Sequence, residues 1–331
     1  DMGHVFLQGE LQVPAGLTRR RIRLDIDPVA IGEVLVTAAE SKGPTSSSKI
    51  GREAIAHIQP SSIADLMELI PGGRATDPSF GAPQEIRLRE ADPSSSATYA
   101  TSALGTQIQV DGIPISNDAN LQYSTSYGSI QEYANVNRGV DTRAISTDDI
   151  ESVEIVRGIP SVEYGDLTSG LVKVKRREGG RDLTARFKAD MSSKLFSVGK
   201  GFERKGGGDA ERTTLNINAD YLTAASDPRN PRQSYQRLTG SVRFGRHWQG
   251  SAYRYSAGGS LDYTGSFDNK KSDQDLDNGL GGPVERYKSN YNRTQFAATF
   301  AVEARHRQFF HSLDLTASFS AEFDRIDRWR F

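Results

Sequence analysis

The feature that most restricts what this chain can fold into is a strict two-residue alternation that returns throughout its C-terminal half. The clearest run sets Leu313, Leu315, Ala317, Phe319, Ala321 and Phe323 against Ser312, Asp314, Thr316, Ser318, Ser320, Glu322 and Asp324. Successive side chains of a strand point to opposite faces, so this run has one apolar and one polar face. Its 11 residues match the ~9–11 that a tilted strand needs to cross a bilayer. The same pattern holds at Leu183–Met191, Leu215–Tyr221, Leu238–Phe244 and Phe296–Val302. Between the runs lie short turns such as KGGGDAE and longer polar connections such as DPRNPRQS and NKKSDQDLDNGLGGP. Two architectures fit: a membrane β-barrel, or a soluble β-sandwich or lipocalin-like barrel. A whole face bearing Lys, Arg and Asp favours the membrane barrel. So does an apolar set of Ala, Gly and aromatics, with Tyr221, Phe244 and Phe323 near run ends.

Composition narrows the function. Mean hydropathy is −0.55, and no apolar run approaches the ~18 residues of a spanning helix; barrel strands average to just such a hydrophilic composition. The net charge of −1 argues against a nucleic-acid binder. The absence of cysteine excludes thiol catalysis, disulfides and Cys-based zinc sites. The five histidines lack metal-ligand spacing; His306 and His311 flank a turn. Asp273, Asp275 and Asp277 suggest a calcium loop, but its glycine falls one place late at Gly279 and Val284 stands where Glu is needed, so a solvated loop is expected. There is no phosphate-binding Walker loop and no nucleophile elbow. The expectation is a protein that is not an enzyme and has neither metal nor cofactor. The opening DMGHVFLQGE has no signal-peptide pattern, which fits a cytoplasmic protein or a mature or truncated chain.

The N-terminal half is organised differently. Residues 1–31 read as two or three short strands broken at Pro14–Gly16, the remnant of a small β-domain. Residues 32–49 hold an apolar stretch, Val34-Leu35-Val36, then a Ser-rich linker. Residues 50–180 read as a compact α/β unit. Ser61-Ser62 can cap a helix with Ile63, Leu66, Met67 and Ile70 on one face, stopped by Pro71-Gly72-Gly73. Asp111-Gly112 between QIQV and IPI predicts a hairpin. Residues 116–140 read as a long polar loop. Asp148–Glu151 can start a helical turn, followed by strands at Val153–Val156 and Leu171–Val174.

The segment ISTDDIESVEIVRGIPSVEYGDLTSGLVKVKRREG, residues 145–179, resembles the closing half of the plug domain of TonB-dependent outer-membrane receptors. LIPGG (Leu69–Gly73) and IQVDGIPIS (Ile108–Ser116) match earlier plug motifs in order. GEVLVTA, Gly32–Ala38, resembles a Ton box. Residues 1–31 resemble the end of a carboxypeptidase-regulatory-like domain of Bacteroidetes-type receptors. A departure lies at Ile86–Glu90, IRLRE, where the family has an Arg-Gly pair; the alignment of residues 74–105 is correspondingly open.

The resemblance implies a mainly β fold: an α/β plug at 50–180, then, over 181–331, about six to eight antiparallel strands of a transmembrane β-barrel of roughly 22 strands. So few strands cannot close round a plug, so a chain truncated at both ends is expected. It also implies energised import of a scarce nutrient (ferric siderophore, cobalamin or glycan) across the outer membrane of a Gram-negative cell, the plug and N-terminal segment facing the periplasm. The partners are the periplasmic energy transducer TonB, the nutrient, outer-membrane lipid and, in some such systems, a surface lipoprotein. Other readings are an outer-membrane binding or signalling receptor and a soluble carbohydrate-binding β-protein. In the Ton box, Glu33, Val34, Leu35, Val36, Thr37 and Ala38 would add as a strand to a sheet edge of TonB; alternatively they end the preceding domain. Glu154 and Arg157 are candidates for buried pairs anchoring the plug to the wall, or lie on a solvated strand edge. Tyr123, Tyr127 and Tyr133 are candidate nutrient contacts, or simply pack their loop.

Overall fold

The computed structural model describes residues 39–40, 47–69, 80, 83–88, 102–117, 139–157, 164–165, 168–207, 211–225, 227, 229, 232–271, 285–304 and 312–330. The strands expected within 1–31, the Ton-box segment 33–38, the three loop tyrosines, the acidic loop at 273–277 and His306 and His311 lie outside them.

Two sheets organise the described residues. The first combines β1 (Ala39–Glu40), β2 (Ser47–Gly51), β3 (Thr106–Val110), β4 (Ile113–Pro114), β5 (Ile150–Val156) and β6 (Gly170–Arg176) in the order β1-β2-β5-β6-β3-β4. Only β3 and β6 run parallel; the other neighbours are antiparallel. Ile150, Val153, Ile155, Leu171 and Val172 are wholly buried, as expected for β-branched and aliphatic runs covered on both faces. They share one core with Ile50, Ala54, Ile55, Ile63, Leu66, Ile108 and others. Full burial of each such side chain contributes about 1.5–3 kcal/mol.

Three local elements differ from the sequence-based expectation. Ser47–Lys49, read as part of a linker, are strand residues paired with β5; their hydroxyls fit a strand once a neighbour supplies the ladder. Helix α1 (Arg52–Ile58) is short, and its N-cap residue Gly51 makes no side-chain cap, so it gave no start signal. The helix expected from Ile63 is a 3₁₀ helix over Ile63–Leu69. Its start is capped reciprocally: Ser62 Oγ accepts from Ala64 N–H at 3.2 Å, while the Asp65 carboxylate accepts from Ser61 and Ser62 N–H at 2.8 and 3.0 Å. The Asp65 N–H bonds the carbonyl three residues back, at Ser62, which tightens the turn. The hairpin is as expected. Asp111 and Gly112 both have positive φ, 51° and 82°, the I′ geometry that matches strand twist.

The second sheet is an antiparallel meander of seven consecutive strands: β7 (Arg181–Ala189), β8 (Ser193–Lys205), β9 (Arg212–Ala224), β10 (Gln233–Gln249), β11 (Tyr253–Lys271), β12 (Glu285–Ala304) and β13 (Ser312–Arg330). It is not closed; β7 and β13 are its edges. Its two faces differ sharply. Leu238, Val242 and Phe244 are over 40% exposed, while Arg237, next to Leu238, is fully buried. Among the described residues, every exposed large hydrophobic, from Leu183 to Trp329, belongs to this sheet or its first turn. The buried face is polar: Asn216, Asp220, Arg237, Ser266, Asp268 and Gln295. A soluble sandwich or lipocalin-like barrel would bury the apolar face instead. Here it is bare, and the polar face covers the globular unit.

Candidate functional site

The two sheets meet through charge. Arg143 sits in a 3₁₀ turn, Thr142–Ala144, whose N-cap Asp141 accepts from Arg143 N–H at 3.0 Å. The guanidinium has no exposed surface. Its Nε donates to Asp141 at 2.9 Å, its Nη1 to the Phe80 carbonyl at 2.7 Å, and its Nη2 to Asp268 of β11 at 2.8 Å. It also lies 4.1 Å from the ring centroid of Tyr235 on β10, a cation–π contact. Burial alone would lower the Arg143 pKa. The carboxylates Asp141 and Asp268 reverse that and hold it above its ordinary value. Phe80 stacks on Tyr235 at 6.0 Å between centroids and closes a small apolar cluster with Leu195, Leu222 and Ala224 of the wall.

Arg237 of β10 completes this clamp from the other side. Its Nη1 donates to the carbonyls of Ser61, Arg143 and Ile145 at 3.1, 2.9 and 3.2 Å, and its Nη2 pairs with Asp220 of β9. Three buried carbonyls of the globular unit are thus satisfied by one wall side chain, where an unmet acceptor would cost about 1–3 kcal/mol. Nearby, Lys188 Nζ donates to the Gln59 carbonyl and Ser61 Oγ, both at 2.9 Å.

A second clamp lies further along β11. Arg176, at the end of β6, donates Nε to Asp111 at 2.7 Å and Nη2 to Asp262 at 3.0 Å. Arg243 of β10 pairs with Asp149 at 3.1 Å and approaches Asp111 at 3.6 Å, and Arg186 of β7 pairs with Asp148 at 2.8 Å. Burial pushes the Asp111 carboxyl up, but Arg176, through its charge and its backbone N–H, takes it below the ordinary value. Burial dominates at Asp148 and Asp149, which are raised despite their arginines.

The chain passes from one sheet to the other at Glu178–Gly180. Here Asn216 of β9 accepts from Gly179 N–H at 3.3 Å and donates to its carbonyl at 3.0 Å. A Cβ at Gly201 of β8 would stand 2.2 Å from that carbonyl, so only glycine admits the crossing there.

The residues chosen from sequence behave differently. Glu154 pairs with Lys173 of β6 at 3.5 Å, an ion pair inside the first sheet with both groups about one-third exposed. The wall partner expected for it is not the one it has. Arg157 donates to Ser48 Oγ of β2 at 2.9 Å, again within the globular unit. Arg143, Arg176, Arg237, Arg243, Asp262 and Asp268, which are among the groups that join the two bodies, were not singled out. For Arg237 and Arg243 a signal was present: both are charges at inward positions of β10, an alternating strand.

Comparison with known proteins agrees with this arrangement. The family model described as TonB-dependent Receptor Plug Domain matches residues 39–172. A search of curated protein sequences finds no match. Among solved structures, the ferric yersiniabactin uptake receptor FyuA of Yersinia pestis aligns over 87% of this chain and 50% of its own, with 10% identity and a TM-score of 0.50. The ferric citrate transporter FecA in its unliganded form aligns over 89% and 51%, with 13% identity and a TM-score of 0.47. A mutant of the ferric enterobactin receptor PfeA of Pseudomonas aeruginosa aligns over 83% and 45%, with 14% identity and a TM-score of 0.46. The chain thus spans about half the length of the structures it matches. FyuA supports the fold: a plug against part of a barrel wall. Residues 39–172 thus match the plug domain of TonB-dependent receptors, and a seven-stranded amphipathic wall is clamped to that unit.

Proposed function

We propose that the protein imports a scarce nutrient across the outer membrane, driven by TonB, with the plug as the element that moves. The observation that carries the reading is the pairing of a bare apolar outer face with a polar inner face bound to a plug through buried charge pairs. A bare apolar face suits lipid. Hydrogen-bonded and ionic contacts suit a surface that must hold and also part, because water admitted on parting takes over their hydrogen bonds, whereas it cannot replace the contacts of an apolar core.

In this reading Glu33–Ala38 pair edge-on with a sheet of TonB, and the plug is pulled from its N-terminal side. Residues 32–38 form the Ton box ahead of a plug whose sheet begins at Ala39. The segment before them is proposed as the end of a carboxypeptidase-regulatory-like domain. The nutrient is a ferric siderophore, cobalamin or glycan, with Tyr123, Tyr127 and Tyr133 as its candidate contacts. The test is Val36→Pro in the full-length protein, which removes a ladder N–H and fixes φ. It should abolish both TonB capture and energised uptake while leaving the protein assembled in the outer membrane. Uptake that continued after TonB contact was lost would end the proposal.

A further inference from the structure

We infer that a cavity between plug and wall is a binding site for a small multivalent oxyanion, held by Arg52 and Arg177 of the plug and Arg181 of the wall. The cavity has a volume of about 210 Å³ and is lined by six arginines against three aspartates. All three aspartates are engaged: Asp148 with Arg186, Asp149 with Arg243, and Asp262 with Arg176. Three of the other lining arginines, Arg52, Arg177 and Arg181, are undercompensated. Among the described residues Arg52 donates only through Nη1, to the carbonyls of Asp148 and Ile150 at 3.4 and 3.1 Å. Arg177 has one long contact, 3.8 Å, to the half-exposed Glu151. Arg181 bonds Asn218 Oδ1 through Nη2, while its Nε and the Asn218 Nδ2 are buried without an acceptor. Among the described residues no carboxylate lies within ion-pair distance of Arg52 or Arg181.

Buried donors, here Arg181 Nε and Asn218 Nδ2, need acceptors, and like charges brought close together repel unless a counter-charge enters. The repulsion registers at Arg52, whose pKa is lowered first by burial and then by Arg177. A phosphate or polycarboxylate meets every requirement: two or more negative charges, several acceptor oxygens, and a planar fork of donors on each arginine to receive them. Monovalent chloride neutralises less charge and offers no geometry. Because two of the arginines belong to the plug and one to the wall, a bound oxyanion would bridge the two bodies. The site is independent of which nutrient is carried and of whether TonB drives the protein.

The full-length protein in detergent provides the test. Equilibrium dialysis with inorganic phosphate, and separately with citrate, should show one saturable site for at least one of them. Arg181→Gln and Arg52→Gln should each weaken it at least tenfold. Arg254→Gln, which removes the same charge at the exposed pair with Glu303, should bind like the parent. In the parent, the same anion should also raise the thermal midpoint above that in chloride of equal ionic strength, a readout that needs no variant to fold. Absence of saturable binding, or loss in Arg254→Gln equal to that in Arg181→Gln, would overturn the inference. Transport assays enter nowhere in this comparison, so its failure and a failure of TonB-driven uptake are read separately.

Discussion

Arg143 shows how one side chain couples two bodies. It is buried with two carboxylates, one from its own turn and one from β11, and an aromatic face beneath it. Burying a charge costs several kcal/mol unless the geometry repays it, and the penalty returns when one partner is removed. Asp268→Ala should therefore destabilise the assembled protein by about 3 kcal/mol, at the low end of that class because Asp141 remains. Thermal unfolding of the purified variant measures this, and limited proteolysis within the plug should accelerate in parallel. A midpoint equal to that of the parent would mean that the wall does not hold the plug through this pair. Neither Arg143 nor Asp268 stood out in the sequence, because an ion pair 125 residues apart leaves no local trace. Glu154 stood out, but its strand faces Lys173 across the sheet, and pairing between strands is not written in either strand alone.

At the scale of elements, legibility followed periodicity. Strands β7, β9, β10, β12 and β13 declared themselves because apolar and polar residues alternate without interruption. Strands β8 and β11 did not. Lys200 falls on the outer face of β8 beside Phe202, and the middle of β11, Ala257-Gly258-Gly259, has almost no side chain to alternate. Some of those glycines serve close approach instead, as at Gly201 and at Gly258, where a Cβ would meet Thr299 Oγ1 at 2.7 Å. The plug hairpin was legible because a two-residue I′ turn needs Asp-Gly chemistry. Helix α1 was not, because seven residues without a cap give no signature. The alternation makes a directional prediction. Val242→Arg places a charge on the bare face of β10, where a position near the bilayer midplane costs about 2–4 kcal/mol. Folding into lipid vesicles, followed by the gel-shift of heat-modifiable barrels, should fall markedly. Normal insertion of this variant would show that the apolar face does not meet lipid.

Across the whole molecule, strand β11 holds the plug at two heights. Asp262 and Asp268 both belong to β11, six residues and so roughly 20 Å apart at ~3.3 Å per residue. Asp268 holds Arg143, in its 3₁₀ turn, and Asp262 holds Arg176, at the end of the plug sheet. A rigid plug would have to lose both contacts together, whereas a plug that can yield at one end keeps the other. Energetically the sites are far enough apart to act independently, since distant positions without shared partners add within about 0.3–0.5 kcal/mol. Asp262→Ala, Asp268→Ala and the double variant should therefore show additive losses of stability in chemical denaturation. Additivity would mean that either clamp can open while its counterpart stays shut, so a pull delivered at one end of the plug need not free the whole body. A coupling of more than about 1 kcal/mol would instead join the two clamps through the shared core of Ile55, Val153 and Val172, and the plug would leave the wall as a unit.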